Sequence, residues 1–558
     1  MSALQFFEDR ARWVIVCVAF GALANYMFAQ LSWTIDDAYI TYRYAENVVA
    51  GHGPVYNPGE AVEGYTCFSW MSLLALAGMA GVPVPVFAKF AGMISVFGSV
   101  SLLAFWDRVE SSVSRSDALV AAVLLATCAS FAQWGPSGME TGLFCLLAVA
   151  VVFVYLRLWS RPTAPTAVAL GTLGCLLTMT RPNGIVLLTV ILIHALRQRR
   201  DLPTKTLGIM VGAFVILYGS YFLWRMDFYG FFLPNTFYAK VGSSNAQLNR
   251  GVRYVIAAMP AFGLLVAPIV SSWGVRREST PARNATPLLL ALTLTHIVYV
   301  ILVGGDNFPA HRFLVVIVPF LCLLSVRGVS LIAANPSRKA LLLATLVGYN
   351  FVARAFDPET RVRIRRDYVA AHGTLVGRYL ADFTPDGSLI ATNSAGALAY
   401  YSGRPIVDML GLNDAEIAHT PAATMGSGKA GHEKGNGFYV LSREPDYILF
   451  GPPKGSVEPM FKGGKELAEL GTFKRRYVLE QVKISKDFTI SMYRRLSDEE
   501  IEKRAEEAEK RKKEFEEKKK REALKKKRKK KKKKAKKRPP KPTSEKAEAS
   551  PKTPPAAP

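Results

Sequence analysis

Histidine and cysteine are scarce: seven histidines and six cysteines are spread over 558 residues. The cysteines (Cys17, Cys67, Cys128, Cys145, Cys175, Cys322) form no CxxC pair and have no histidine spaced to join them. Five of them lie inside apolar runs, as small buried hydrophobes do, so neither a disulfide framework nor a structural zinc site is expected. There is also no Gly-rich phosphate loop and no strand–turn–helix dinucleotide unit, which argues against a soluble nucleotide-sugar as substrate. Internal repeats and charges at the middle of apolar segments are missing as well, and a transporter would call for both.

Long apolar runs are plentiful. Half of the residues are hydrophobic, and runs long enough for a bilayer recur from 13–31 to 338–353, about eleven in all. "WVIVCVAFGALANYMFAQL" (13–31) is long for a signal sequence and carries no small-residue cleavage site, so it reads as a retained helix. "FSWMSLLALAGMAG" (68–81) is short and rich in small residues, and reads as an interfacial or re-entrant segment. Basic residues fall in alternate loops: Arg108 and Arg115, Arg157 and Arg161, "RQRR" with Lys205, "VRRESTPAR" (275–283), and Arg327 with "SRK". By the positive-inside rule these loops face the cytoplasm. The loops between them, and the region after 353, are then exoplasmic. The expected fold is an α-helical multi-pass membrane protein: a membrane domain over 1–353 with its first exoplasmic loop at 34–85, then a small exoplasmic α/β domain over 354–497, then a charged tail over 498–558.

That tail holds 26 Lys/Arg and 13 Asp/Glu, half of the net charge of +26. Its first part has the Glu/Lys spacing of a solvated helix. The Lys block and the Pro/Ala/Lys stretch after it are expected to be disordered. On the exoplasmic side such a tail is out of reach of nucleic acid and has two readings: contact with anionic envelope polymer or lipid headgroups, or an unstructured solubilising extension with no specific partner.

The polar residues near the membrane gather on the exoplasmic face. The first loop opens "TIDDAYITYRYAEN". Read as a helix, it puts Asp36, Asp37, Ile40 and Tyr44 on one broad face, with Tyr39 and Arg43 one turn apart. "GPSGMET" adds Glu140, "RPNG" adds Arg181, and "RMDFYGFFLPNTFYAK" adds Asn235 and Lys240. "GGDNFPAHR" adds Asp306, His311 and Arg312. A carboxylate at the hydrocarbon edge is costly, about 2.5–3.5 kcal/mol at a helix centre, so a pair there needs a partner, a cavity or a task. Capping would account for each residue singly but not for their convergence. The set suits glycosyl transfer from a lipid-linked donor. Asp36 or Asp37 would orient or deprotonate the acceptor hydroxyl, and Arg43, Arg181, Lys240 and Arg312 would hold the departing lipid phosphate. Tyr39, Tyr44, Glu63, Glu140, Asn235, Asp306 and His311 are candidates for the substrate pocket. In the soluble part, "VDMLGLND" and "GHEKGNG" offer Asp408, Asn413, Asp414, His432 and Glu433 as an acceptor rim, or as turn and cap residues. A divalent cation, Mg or Mn, is a further expectation, with no ligand set identified. The competing class is a non-catalytic protein that binds envelope polymer or supports assembly on the same scaffold.

The segments "DDAYITYRYAENVVAGHGPVYNPGEAVEGYT", "SGMETGLF", "TRPNG", "FYGFFLPNTFYAK", "GGDNFPAHRF" and "DMLGLND…GHEKG" occur in order over roughly residues 30 to 450. As a set they resemble the C-type glycosyltransferases, and more narrowly are similar to the terminal β-(1→2)-arabinofuranosyltransferase-like family of actinobacterial cell-wall synthesis. The resemblance implies a plasma-membrane enzyme that takes a sugar, such as arabinofuranose, from a polyprenyl phosphate to an envelope glycan or glycolipid on the exoplasmic side. It also assigns the catalytic carboxylates to Asp36 and Asp37, Asp36 first. Asn183 stands where the family pattern has a carboxylate, so that loop receives no acid from the resemblance.

Overall fold

The structure, a computed structural model, describes residues 3–242, 244–273, 284–356, 367–422 and 425–535. The basic loop at 275–283 and the Pro/Ala/Lys stretch beyond 535 lie outside the described residues. Met1–Arg495 forms one compact unit and Leu496–Pro558 another.

The first unit begins as a helical bundle. Five helices are long and apolar enough to cross a membrane: Val84–Ala104, Thr141–Ser160, Thr204–Tyr229, Arg312–Ile332 and Pro336–Phe356. The pair Asn245–Ala257 and Met259–Ser271 meets the same test as one element, broken by a 75° bend. The other apolar runs form shorter helices, among them Arg12–Phe28, Ala164–Thr180, Gly184–Arg197 and Thr286–Leu302. Phe68–Met79 is a helix of only 12 residues. Small residues bring the bundle's backbones together: a Cβ on Gly171 would come 2.5 Å from the Met210 carbonyl.

After the bundle the pattern changes. Three short strands, β1 (Ile390–Thr392), β2 (Ile406–Asp408) and β3 (Tyr447–Leu449), and a long hairpin, β4 (Tyr477–Ser485) with β5 (Phe488–Arg495), build one sheet in the order β2-β1-β3-β5-β4. β1 runs parallel to both β2 and β3, and β5 runs antiparallel to β3 and β4. Ala391, Val407 and Ile448 fill one face with Phe450 and Phe473. The helix Tyr368–Phe383 packs on Ala397–Ser402: Cβ atoms on Gly373 and Gly377 would lie 2.9 and 2.7 Å from the Leu398 backbone.

In the second unit the described residues form one helix, Asp498–Ala535. The Lys block expected as disordered is therefore helical through Ala535. It carries (i, i+4) ion pairs, Glu509 with Lys513 at 2.9 Å and Glu517 with Arg521 at 3.9 Å.

Candidate active site at the rim of the first loop

Asp36 and Asp37 open the helix Asp36–Val49, whose cap position, Ile35, supplies no side-chain hydrogen bond. Two carboxylates in the first turn complement the partial positive charge of a helix N-terminus. The sequence "GHG" after the helix sends the chain back through left-handed Gly51 and Gly53, a conformation that costs glycine little.

The two carboxylates have different surroundings. Asp36 is buried, and its Oδ1 accepts a 2.9 Å hydrogen bond from the backbone N–H of Ala397. Burial pushes its pKa up to about 7; the bond from Ala397 opposes that rise and the negative charge of Asp37 adds to it. Asp37 is more open, and its Oδ2 lies 3.9 Å from the Lys240 ammonium. The charge of Asp37 is felt at Asp367, Asp408, Arg312 and His432 as well as at Asp36. Several loops thus converge on one place.

Two arginine–carboxylate pairs stand behind it. Arg312 grips Asp306 with two bonds of 2.6 and 3.1 Å, and its guanidinium sits 4.2 Å from the Phe308 ring and 5.7 Å from Trp134. Arg181 bonds Glu140 at 2.9 Å and lies 4.9 Å from the Phe313 ring. Aromatic faces and carboxylates hold both guanidinium groups in fixed planes.

Lys89 was missed by sequence reasoning. Its ammonium donates to the carbonyls of Trp33 (2.8 Å) and Pro136 (3.2 Å), the residues that lead into Asp36 and Glu140. Among the described residues no carboxylate lies within ion-pair distance of it. The available signal was a single lysine inside the apolar run "VPVPVFAKFAGM".

Other expected site residues hold the first loop to the soluble part. Arg43, expected at the donor phosphate, instead donates to the carbonyls of Tyr56 (2.7 Å), Ala399 (2.5 Å) and Arg404 (2.8 Å) and to Asn57 Oδ1 (3.2 Å). Those bonds leave its fork no edge for a phosphate. Asn235 Nδ2 donates to the Gly411 and Leu412 carbonyls at 2.9 and 3.0 Å. Tyr44 donates to the Val62 carbonyl and accepts from the Gly64 N–H. Tyr39 packs its ring within 5.5 Å of those of Tyr42, Tyr400 and Tyr401. His311 is buried in a left-handed turn beside the rings of Tyr254 and Phe262. Glu63 pairs with Arg225 at 2.6 Å, and the two side chains are almost wholly buried. Burial nonetheless lifts Glu63 to about 7 against that pairing. Glu63 and Asn235 line a narrow cavity with Tyr229 and Phe231.

The acceptor-rim residues divide in the same way. Asp408 accepts from the backbones of Leu410 and Asn413 and from the Asn413 amide, closing a turn. Asp414 caps the helix Ala415–His419 through Ile417 N–H, and burial raises it to about 6. His432 is held neutral at pH 7, lowered to about 4 by burial and then by the charge of Lys429, and it lies within the field of Asp37 and Lys240. Glu433 accepts from Gly428 N–H at 2.7 Å and lies 3.6 Å from Arg250. Among the described residues no three His, Cys, Asp or Glu side chains are grouped to hold a metal ion.

A buried acid near pKa 7, an open acid facing a lysine and two clamped arginines lie at the ends of membrane helices with a small α/β layer above. Solved structures share the fold that carries it. The ArnT of Cupriavidus metallidurans has a TM-score of 0.51 at 13% identity, over 72% of this chain and 86% of that one. The oligosaccharyltransferase of Archaeoglobus fulgidus also gives 0.51 at 13% identity, over 86% and 76%. The mycobacterial arabinofuranosyltransferase AftD gives 0.50 at 13% identity, over 88% of this chain and 40% of that one. This is the C-type glycosyltransferase fold. The GT-C assignment agrees with sequence relatives. A terminal β-(1→2)-arabinofuranosyltransferase of Mycobacterium tuberculosis is 28% identical over 43% of the chain and 40% of its own length. One from Corynebacterium glutamicum is 27% identical over 54% and 48%. The chain spans less than half the length of these curated relatives. Residues 361–500 also match a domain of unknown function, DUF8728. The expected GT-C fold with a small C-terminal sheet is therefore borne out.

Proposed function

We propose that this chain is an integral-membrane glycosyltransferase. It moves a sugar from a polyprenyl-phosphate carrier to a cell-envelope glycan or glycolipid on the exoplasmic side of a bacterial plasma membrane. The names of its sequence relatives support arabinofuranose as the sugar. The observation that carries the reading is the divided carboxylate pair: Asp36 poised near pH 7 beside Asp37, which faces Lys240.

A general base works best with a pKa near the working pH. Asp36 takes the proton of the acceptor hydroxyl as its oxygen bonds to the anomeric carbon of the donor. The bond from that carbon to the phosphate oxygen breaks, and the electron pair leaves with the polyprenyl phosphate. Lys240, whose carboxylate partner Asp37 stands 3.9 Å off, and Lys89 are the cations best able to meet the phosphate charge, because Arg181 and Arg312 are bonded to carboxylates at 2.9 and 2.6 Å. Asp37 keeps Lys240 at the rim. The Lys-rich helix suits contact with anionic envelope polymer by charge alone.

Membranes carrying the protein, given a polyprenyl-phosphate pentofuranose and a synthetic glycan acceptor, provide the test. The wild type should transfer the sugar, and Asp36→Asn should be inserted and folded but inactive. Full activity in that variant would remove Asp36 from the chemistry. Impermeant labelling of a cysteine placed in the 50–60 loop tests sidedness, and labelling only from the cytoplasm would overturn the exoplasmic assignment.

A further inference from the structure

The helix Tyr368–Phe383 has two different faces. Ala370, Gly373, Val376, Gly377 and Leu380 are buried. Toward the opposite side, Tyr368 is 75% exposed, Leu375 50% and Phe383 69%. With His372 and Tyr379 these follow a spacing of four, three, four and four residues, which makes one continuous ridge. The rings run in sequence. Tyr368 lies 6.0 Å from His372, His372 lies 4.9 Å from Phe488 of β5, and Tyr379 stacks on Phe383 at 4.7 Å. From Tyr368 to Phe383 the ridge is about 22 Å long.

One end of this ridge is at the candidate site. Asp367 caps the helix through the N–H groups of Val369 and Ala370. The same carboxyl is perturbed by a backbone contact with Asp36 and by the charge of Asp37. The neighbouring helix Ala397–Ser402 also begins at Asp36 and is packed alongside in parallel, Gly373 against Ala397 and Gly377 against Tyr401. The ridge therefore starts beside the carboxylate pair and leads away from it.

We propose that this ridge is a glycan-binding track that guides an extended acceptor chain toward Asp36; it rests on the glycosyltransferase reading above. Ring faces suit the C–H faces of sugars, and an exposed row of this length, four rings with Leu375 between them, marks an interaction surface. Its borders are polar: exposed Arg378, whose guanidinium lies 5.2 Å from the Tyr401 ring, and exposed Asp382 lie along one side of the helix, and the Glu480–Arg494 pair on the hairpin lies across from Tyr379. Immersing the ridge in hydrocarbon would strip water from those charges. Sugar hydroxyls would instead hydrogen-bond to them. The occupant is thus a saccharide chain and not a lipid surface.

The experiment uses the full chain in nanodiscs, a linear arabinofuranosyl hexasaccharide, a short octyl arabinofuranoside acceptor, and the double variant Tyr368→Ala/Phe383→Ala, whose side chains are exposed. Calorimetry should show hexasaccharide binding that weakens about tenfold or more in the variant. In transfer assays the KM for the hexasaccharide should rise by a similar factor with kcat unchanged, as for lost uniform binding. The KM for the short acceptor should not move. Equal hexasaccharide affinity in both proteins overturns the track. A wild type that transfers nothing but binds the hexasaccharide through the ridge overturns the enzymatic reading and leaves the track standing. Phe383→Trp tests the alternative occupant: quenching of its fluorescence by brominated lipid would make the ridge a membrane contact and overturn the proposal.

Discussion

The Oδ1 atom of Asp36 accepts a 2.9 Å hydrogen bond from the backbone N–H of Ala397, a residue 361 positions further along the chain. One bond thus joins the carboxylate at the membrane rim to the start of a helix in the α/β layer. A carboxylate held in this way keeps its position, which the base of the proposed reaction requires, because positioning of reacting groups supplies much of a catalytic rate.

The raised pKa of Asp36 gives the reaction a pH dependence of definite sign. Only the ionised carboxylate accepts a proton, so kcat/KM should fall about tenfold per unit as pH drops below about 7. Asp36→Asn should remove that limb and lower transfer by about 10²–10⁴-fold. Stability has the opposite sign. An acid whose folded pKa is raised favours folding when protonated, so as pH climbs from its ordinary value of 3.8 to about 7 the folded state loses stability. The neutral asparagine escapes that loss. Thermal unfolding at pH 8 should show the inactive variant melting above the wild type, and a lower Tm would refute burial as the cause.

Gly396 sets how closely the soluble layer approaches Asp36. A Cβ there would stand 2.2 Å from the Asp36 carbonyl oxygen and 2.4 Å from Oδ2. Backbone in the way cannot yield as a flexible side-chain end does, so Gly396→Ala should displace the carboxylate. Transfer should drop by about tenfold to a hundredfold with the protein still inserted. Steady-state kinetics on the variant check this, and unchanged kcat would mean the layers part freely.

How far the site could be read from sequence depended on whether a residue's partner was local. The pairing of Arg312 with Asp306 lies within one turn segment, and the helix that begins at Asp36 follows from spacing alone. Arg43 was read as a phosphate ligand because it is a cation of the first loop at headgroup level, where a departing lipid phosphate needs one. Two of its four partners, the carbonyls of Ala399 and Arg404, lie more than 350 positions away, and no local pattern announces a carbonyl. The same holds for Asn235, whose amide donates to the Gly411 and Leu412 carbonyls more than 170 positions away. The apolar runs marked the helices well, but periodicity could not foresee the 75° break after Ala257, where Pro260 follows Met259 at the start of the next helix.

Glu63 and Arg225 form a pair whose role can be separated from catalysis. Both side chains are under 5% exposed and joined at 2.6 Å. Glu63→Gln leaves a buried guanidinium without its counter-charge, a loss of about 3–5 kcal/mol. The variant should be poorly folded in detergent, as size-exclusion profiles and melting curves would show. Glu63→Gln combined with Arg225→Met should recover most of the loss, because replacing both charges removes the uncompensated one. Failure of the double variant to recover would mean that Arg225 acts through its bonds to the Phe231 and Phe232 carbonyls instead.

Lys89 provides the sharpest test of where the phosphate goes. Its ammonium is fixed by two backbone carbonyls and, among the described residues, has no carboxylate within ion-pair distance, so it brings an uncompensated positive charge to the rim. A lipid phosphate would be the group that balances it. Lys89→Met should cost about 1 kcal/mol of stability from the lost hydrogen bonds alone, a loss that any structural lysine would show. A phosphate-binding role requires more. Polyprenyl phosphate should raise the melting temperature of the wild type and fail to raise that of the variant, because a ligand stabilises only the folded state that binds it. The KM for the lipid-linked donor should rise at least about tenfold while the KM for acceptor stays put. If the variant is protected by polyprenyl phosphate as well as the wild type is, the phosphate charge rests on Lys240 and the arginines, and Lys89 only ties the first loop to the segment at Pro136.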